Sequence, residues 1–379
     1  MNMNKPANLM SDAEVVQKIF QHISNATTDM GNTTWQEPVS NYLSKTRFTA
    51  ERNMLQRRSI VFCPDSALVK PGDYIARNAA GVPLIALRGL DGKVRAFRNA
   101  CRHRGVQLAN GHGCTRALVC PYHGWTYSLD GSLRHIPHED GFPKVDKATR
   151  GLVEVACYVS NGLVFVNQDP KANIKQDALL LPKIIPDGYR LLHFANTTIK
   201  ANWKLHLESS LEGYHIKQTH KNTFFPVQYD NLTLIEAFGK NSRVSFPYQS
   251  IEGLRDKKPS DICVNGKLTF VYHLFPNVVI STFPGCMQIV VLEPIDESTT
   301  EHYTYLVSNI VESETELIDA VFEGQKFASI GASEDQEIVI SAQQGLLSGA
   351  NEFLEFGLFE SAIVRLHTHL AKELLVSST

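Results

Sequence analysis

The sequence predicts an α+β chain in two successive parts: a small antiparallel β domain, then a larger domain in which a sheet grips a long helix. Three observations carry this. From Arg58 to about residue 170 the chain consists of short β-branched or aromatic runs broken by Gly, Pro and Asp. Strand runs recur further on, and after them the last part, from about residue 314, has helical periodicity. Strands first and helices last is the order of an α+β domain. Finally, 379 residues are long for one domain and comfortable for two. The expected division is a helical N-terminal arm over residues 1–55, a β domain over 56–170 and an α+β domain over 171–379.

In the arm, Val15, Ile19, Phe20 and Ile23 recur at helical spacing, with Ser11 or Asp12 available as cap. Residues 26–40 are rich in Thr, Asn and Gly and are expected to be loop; 47–57 are expected to form a second short helix. The β domain opens with SIVFCPDS, DYIARNAA, VPLIALRG and KVRAFRNA, and GLVFVNQDP at 162–170 is its closing strand. Asp91-Gly92 and Asp130-Gly131 are hairpin turn signals between such runs. In the larger domain the expected strands are HFANTTIKANWKL, RVSFPYQ, KLTFVYHLFP, NVVISTFPG, MQIVVLEPI and EHYTYLVSNI. The expected helices are ETELIDAVFEGQKFASI, EDQEIVISAQQGLL and FESAIVRLHTHLAKELL. The last places Ile363, Leu366, Leu370 and Leu374 on one face, a packing stripe.

The chemistry begins in CRHRGVQLANGHGCTRALVCPYHGW, residues 101–125. Cys101 and His103 form a C-x-H pair; sixteen residues later Cys120 and His123 form C-x-x-H. Two His in place of two Cys on one iron distinguish a Rieske [2Fe–2S] centre from the four-Cys ferredoxin cluster. Cys101 and Cys120 are then expected on one iron and His103 and His123 on the other. The rival is structural zinc, but zinc fingers keep their Cys together and their His together, and here they alternate. Cys114 and His112 are competing donors without a supporting loop pattern.

A second set lies in NWKLHLESSLEGYHIKQTH, residues 202–220: Glu208, Glu212, Tyr214, His215 and His220. His215 and His220 are five residues apart, about 140° on a helix, so the helix must end or widen between them to aim both at one point. Two His and one carboxylate with open positions is the facial triad of non-haem iron oxygenases. By itself an H-x₄-H pair is a weak signal.

Together these stretches resemble the large (α) subunit of the Rieske non-haem iron oxygenases. The resemblance rests on Cys101-Arg102-His103-Arg104-Gly105, on Cys120-Pro121-Tyr122-His123-Gly124-Trp125, on Asn202-Trp203-Lys204, and on Glu208 … Glu212-Gly213-Tyr214-His215 … His220. The late run Glu334-Asp335 … Gln343-Gln344-Gly345 matches the stretch that carries the family's third iron ligand. The resemblance implies a Rieske [2Fe–2S] domain followed by a helix-grip (START-like) catalytic domain. It implies a Rieske cluster on Cys101, His103, Cys120 and His123, and mononuclear Fe(II) on His215, His220 and Asp335, with Glu334 and Glu337 as fallbacks. It further implies that Glu212 bridges His215 to His123 of the partner subunit in a head-to-tail homotrimer, carrying electrons from cluster to iron. Most of the family has Asp at this position. Glu is similar to the carnitine-type monooxygenases, which act on quaternary ammonium compounds, and this favours a monooxygenase.

The implied activity is O₂-dependent hydroxylation or oxidative demethylation of a small organic substrate. Aromatic ring dihydroxylation and hydroxylation or oxidative cyclisation of an aliphatic intermediate are the alternatives. The chain has no G-x-G-x-x-G fingerprint, so electrons are expected from a separate NAD(P)H-dependent reductase or ferredoxin. Two other classes compete: a Rieske electron carrier, which needs only the first domain, and a zinc-stabilised ligand-binding protein. Composition narrows the rest. A formal net charge of −2 gives no field for nucleic acid or anionic membrane. No apolar run reaches the length of a membrane span, and the N-terminus lacks a signal-like apolar region. Besides Cys101 and Cys120, the five remaining Cys (63, 114, 157, 263, 286) are scattered, which fits a reducing cytoplasm.

Overall fold

The computed structural model describes residues 9–175, 181–310 and 315–376. The first eight residues of the expected arm, part of the expected connector and Glu314 lie outside them. The chain forms two compact units, residues 55–191 and residues 9–54 with 192–376. Among the described residues no helix is long and apolar enough to cross a membrane.

The arm begins with α1 (Asp12–Asn25), capped by Ser11. Ser11 Oγ accepts from the Glu14 backbone N–H and the Glu14 carboxylate accepts from Ser11 N–H, a reciprocal capping box. Residues 26–40, expected as loop, contain β1 (Trp35–Pro38), which pairs with β19 (Phe353–Phe356) more than 300 residues away. Such pairing leaves no local pattern, which is why the strand was not expected. Helices α2 (Ser40–Leu43) and α3 (Lys45–Gln56) complete the arm.

The first unit contains β2 (Ile60–Pro64), β3 (Asp73–Ala79), β4 (Val82–Arg88), β5 (Val94–Arg98), β6 (Gly111–Cys114), β10 (Glu154–Ser160) and β11 (Leu163–Asn167). They form one antiparallel sheet in the order β2-β11-β10-β5-β4-β3-β6. A smaller antiparallel sheet joins β7 (Leu118–Val119), β8 (Thr126–Tyr127) and β9 (Leu133–His135). Residues from both sheets share one core, in which Phe97, Trp125, Tyr127 and Ile136 pack with Cys101 and Cys120.

The second unit is built on a sheet in the order β12-β18-β17-β16-β15-β14-β13. Its strands are β12 (Arg190–Ile199), β13 (Leu234–Phe238), β14 (Asn241–Pro247), β15 (Leu268–Leu274), β16 (Val278–Phe283), β17 (Cys286–Asp296) and β18 (Thr299–Ser308). Between β12 and β13 lie α4 (Trp203–Ser210) and α5 (Ile216–Thr219). After the sheet, α6 (Thr315–Leu346) runs two expected helical segments together, and α7 (Ser361–Val376) ends the described chain. Val321 of α6 packs on Cys286 and Leu306 of the sheet, and Val339 and Leu346 pack against Ile199 and Leu205. The expected apolar face of α7 is buried: Ile363, Leu366, Leu370 and Leu374 are each at most 9% exposed.

The Asn202-Trp203-Lys204 motif is a clamp. Asn202 caps α4 by accepting from Lys204 N–H, and its own N–H donates to Gln343 Oε1 on α6 at 2.9 Å. Trp203 Nε1 donates to Glu51 Oε2 at 3.0 Å, and Lys204 Nζ lies 2.9 Å from the same oxygen. Lys204 and Glu51 are 0% and 1% exposed, so this ion pair joins α3 to the start of α4 inside the core. Removing one member strands the other charge. Glu51→Gln is therefore expected to lower unfolding stability by about 3 kcal/mol in urea titrations. A change near zero would show that Lys204 has another way to satisfy its charge.

Candidate metal centres

The first centre rests on two loops with the same backbone plan. In one, Cys101 N–H donates to Val106 O at 2.8 Å and Gly105 N–H to Cys101 O at 2.9 Å. In the other, Cys120 N–H donates to Trp125 O at 2.8 Å and Gly124 N–H to Cys120 O at 3.0 Å. Both turns need a left-handed residue four places after the Cys, and Gly105 (φ +80°) and Gly124 (φ +74°) supply it. The Cys side chains face the core, each 3% exposed. The His side faces outward: His103 is half-buried and His123 exposed, with ring centroids 4.7 Å apart.

The surrounding groups suit a metal cluster. His103 stacks on Trp125 at 4.9 Å, and its Nδ1 is buried without a hydrogen-bond partner. The Tyr127 hydroxyl accepts from Arg102 N–H at 2.8 Å, so its proton is free for Cys101 Sγ at 3.3 Å. Burial pushes the Cys101 thiol up, and the Tyr127 hydrogen bond opposes it. A thiolate at this depth calls for a compensating cation. Cys114 and His112 sit on β6, in register with Asp73 and Ile75 of β3, outside these loops.

In the second unit the structure brings His215, His220 and Asp335 together. One donor atom from each lies within 4.8 Å of the others, the one such convergence of three or more Cys, His, Asp or Glu among the described residues. The two His flank the single turn of α5. His215 precedes it in helical conformation, and His220 leaves it at φ −103°, ψ 37°. This early stop defeats the divergence of a continuous helix.

Each ring is fixed by its rear nitrogen. His215 Nδ1 lies 2.5 Å from Glu212 Oε1, and His220 Nδ1 lies 2.7 Å from Glu334 Oε2. The forward nitrogens then point at one carboxylate oxygen: Asp335 Oδ1 is 3.5 Å from His215 Nε2 and 3.0 Å from His220 Nε2. His220 Nε2 is buried and, despite that approach, lies outside hydrogen-bond geometry. Lone pairs aimed at a shared point and not at each other's protons are the arrangement a metal ion satisfies. The remaining Glu212 oxygen accepts the Tyr214 and His215 backbone N–H groups. Thr223 Oγ1 also donates to Glu334, at 2.6 Å. Burial works against ionising Glu334, but the hydrogen bonds from His220 and Thr223 outweigh it and hold its pKa below the ordinary value.

The other sequence candidates go elsewhere. Glu208 accepts from Tyr42 Oη at 2.7 Å and from His367 Nε2 at 2.9 Å. Burial opposes charge on His367, yet Glu208 and Glu37 raise its pKa to about 9. Tyr214 is exposed and packs on Phe359, and Glu337 is exposed. Consecutive residues on a helix diverge by about 100°, which separates Glu334, behind His220, from Asp335, in front of it.

The donors open into a cavity of about 560 Å³. Residues of β12, α4 and α5, strands β14 to β18 and the middle of α6 line it. Phe224 lies between this cavity and a neighbouring one of about 440 Å³. Its ring is 4.7 Å from that of His220 and fills the space over Gly331, where a Cβ would come within 2.3 Å of it. Sequence reasoning missed Thr223, Phe224 and Gly331; a Gly inside a helical run was the one available signal. Gly331→Ala is expected to push Phe224 onto His220 and weaken metal retention at least about tenfold, read as iron content after dialysis against a chelator. Unchanged retention would mean that the ring has another place to go.

Comparison with known proteins agrees with this geometry. Residues 59–158 match the Rieske [2Fe–2S] domain, and residues 186–375 match the catalytic domain of the ring-hydroxylating α subunit. The chain is 30% identical over 368 residues to the carnitine monooxygenase oxygenase subunit of Escherichia coli (strain K12), covering 89% of this chain and 93% of that protein. It is 28% identical over 302 residues to the large oxygenase component of the naphthalene 1,2-dioxygenase system of Pseudomonas fluorescens, covering 68% and 67%. A solved quaternary ammonium Rieske monooxygenase superposes with a TM-score of 0.75 at 23% identity, over 89% of this chain and 95% of that one. The chain thus belongs to the Rieske non-haem iron oxygenases as an α subunit, with a [2Fe–2S] cluster and a mononuclear iron as its cofactors.

Proposed function

We propose that this chain is the oxygenase component of a monooxygenase, hydroxylating or oxidatively demethylating a small organic substrate. The observation that carries the reading is the convergence of His215, His220 and Asp335 at the wall of a cavity. The longer and closer match to a monooxygenase subunit than to a dioxygenase component favours insertion of one oxygen atom. Like other oxygenase components of this family, the chain takes its electrons from a separate reductase or ferredoxin.

In this reading Cys101, His103, Cys120 and His123 hold the cluster, and His215, His220 and Asp335 hold the iron. When bound, the cluster supplies electrons singly and the iron supplies the position for O₂ activation. The protein's own groups do the rest. Glu212 and Glu334 lock the two imidazoles in one tautomer and orientation, and three protein ligands leave room on the ion. Val271, Val279, Val290 and Leu292 of the sheet give the cavity an apolar side for the substrate. The exposed ring of His123 suits contact with a neighbouring molecule. A head-to-tail homotrimer would bring His123 of the partner subunit to Glu212, making the carboxylate a bridge between two imidazoles. A cytoplasmic location follows from the scattered free thiols and the dependence on a soluble reductase.

Glu212→Gln tests the bridge. It keeps size and one acceptor oxygen but removes the charge that pairs with both rings. Iron content should stay at the wild-type level, while substrate-dependent NADH oxidation with a surrogate reductase falls at least about tenfold. Activity within about twofold of wild type would remove the bridging role.

A further inference from the structure

A second cavity, of about 440 Å³, adjoins the one at the metal donors. Phe224, Tyr248, Phe283 and Ala328 line both, so the two share a wall. Phe224 stands in that wall as the middle of an aromatic row. On one side its ring lies 4.7 Å from that of His220; on the other it meets Phe327 edge-on at 5.5 Å. Phe327 lines the second cavity and not the first. A molecule reaching both ends of the row spans from the metal donors to a place two ring contacts away.

The two sides differ in chemistry. The metal side holds His215, His220 and Asp335. Among the described residues no Lys, Arg, His, Asp or Glu lines the second cavity. Three of its four polar side chains already have protein partners. Tyr248 Oη is bonded to Thr269 Oγ1 at 2.7 Å, Gln249 Nε2 donates to Gln228 O at 3.2 Å, and Gln325 Nε2 donates to Cys286 Sγ at 3.2 Å. A polar group entering here would give up its water and find little to bond. An apolar group pays no such penalty, and it covers Val227 and Phe327, which are 43% and 41% exposed. The floor is itself apolar: Val321 and Phe283 belong to the cluster by which α6 packs on the sheet.

We infer that this cavity is a second substrate compartment. It takes an uncharged hydrocarbon or aryl portion of a molecule whose other end is oxidised at the metal point, the chain passing Phe224. The substrate class is thus an elongated molecule with an apolar end remote from the reacting atom. This rests on the oxygenase reading, since the metal point defines which end reacts.

The probes are 1-butanol, 1-decanol and 10-bromo-1-decanol, and the protein is the purified holoenzyme with its iron content measured. Each methylene that enters an apolar site strengthens binding about threefold. By calorimetry 1-decanol should therefore bind at least about a hundredfold more tightly than 1-butanol. Anomalous diffraction from crystals soaked in the brominated probe should place bromine in the second cavity, beyond Phe224. Gly324 of α6 lines the second cavity alone, and a Cβ there meets nothing within 4 Å. Gly324→Trp fills this space and Val227→Asp puts a charge in it. Each should lower the decanol-to-butanol affinity ratio at least about tenfold. Melting curves verify folding, and light scattering verifies the assembly. The compartment is overturned if bromine lies in the metal cavity alone, if 1-decanol shows no saturable binding, or if either folded variant keeps the wild-type ratio. It is also overturned if the variants break up the assembly, which would give the cavity to a neighbouring subunit. With full iron content these outcomes count against the compartment alone. Failure to retain iron counts against the oxygenase reading.

Discussion

The structure of the catalytic unit depends on two carboxylate–imidazole hydrogen bonds. Glu212 holds Nδ1 of His215 and Glu334 holds Nδ1 of His220. An imidazole free to rotate about its side-chain bonds would spread its donor over several ångströms; a ring held from behind presents one lone pair in one direction. Asp335 need only place one oxygen where the two directions meet, and it does so from the turn of α6 that also carries Glu334. The metal point is therefore defined by which nitrogen each acid takes.

Those acids must themselves be held, and the family motifs divide between the two tasks. Asn202, Trp203 and Lys204 touch no metal donor. They fasten the start of α4 to Glu51 of the arm and to Gln343 of α6. Glu208 likewise joins Tyr42 and His367 under α4. The same helix that bears Glu334 and Asp335 is thus tied at Gln343, between two and three turns further on, to the helix that leads into His215 and His220. A stretch of sequence can mark a family by its scaffold as surely as by its chemistry.

Much of this was legible beforehand, for physical reasons that differ by element. The C-x-H and C-x-x-H pairs each lie within one tight turn, so local spacing fixes their geometry and the Gly after each pair reports its backbone. Alternating apolar runs marked most strands because each has one face in a core. The β1–β19 pair was invisible, because its stability comes from a partner at the other end of the chain. Asp335 could be singled out among Glu334, Asp335 and Glu337 only through family resemblance. The roles of Glu334 and Glu208 required coordinates, since side-chain direction at a helix end or over a neighbouring helix is a tertiary property.

Anomalous diffraction from crystals of the purified protein, recorded across the iron and zinc absorption edges, tests the central claim most directly. The account predicts an iron peak where His215, His220 and Asp335 converge, and a two-iron peak between the Cys101–His103 and Cys120–His123 loops. Zinc at the paired loops, or no iron within reach of His215 and His220, would contradict it.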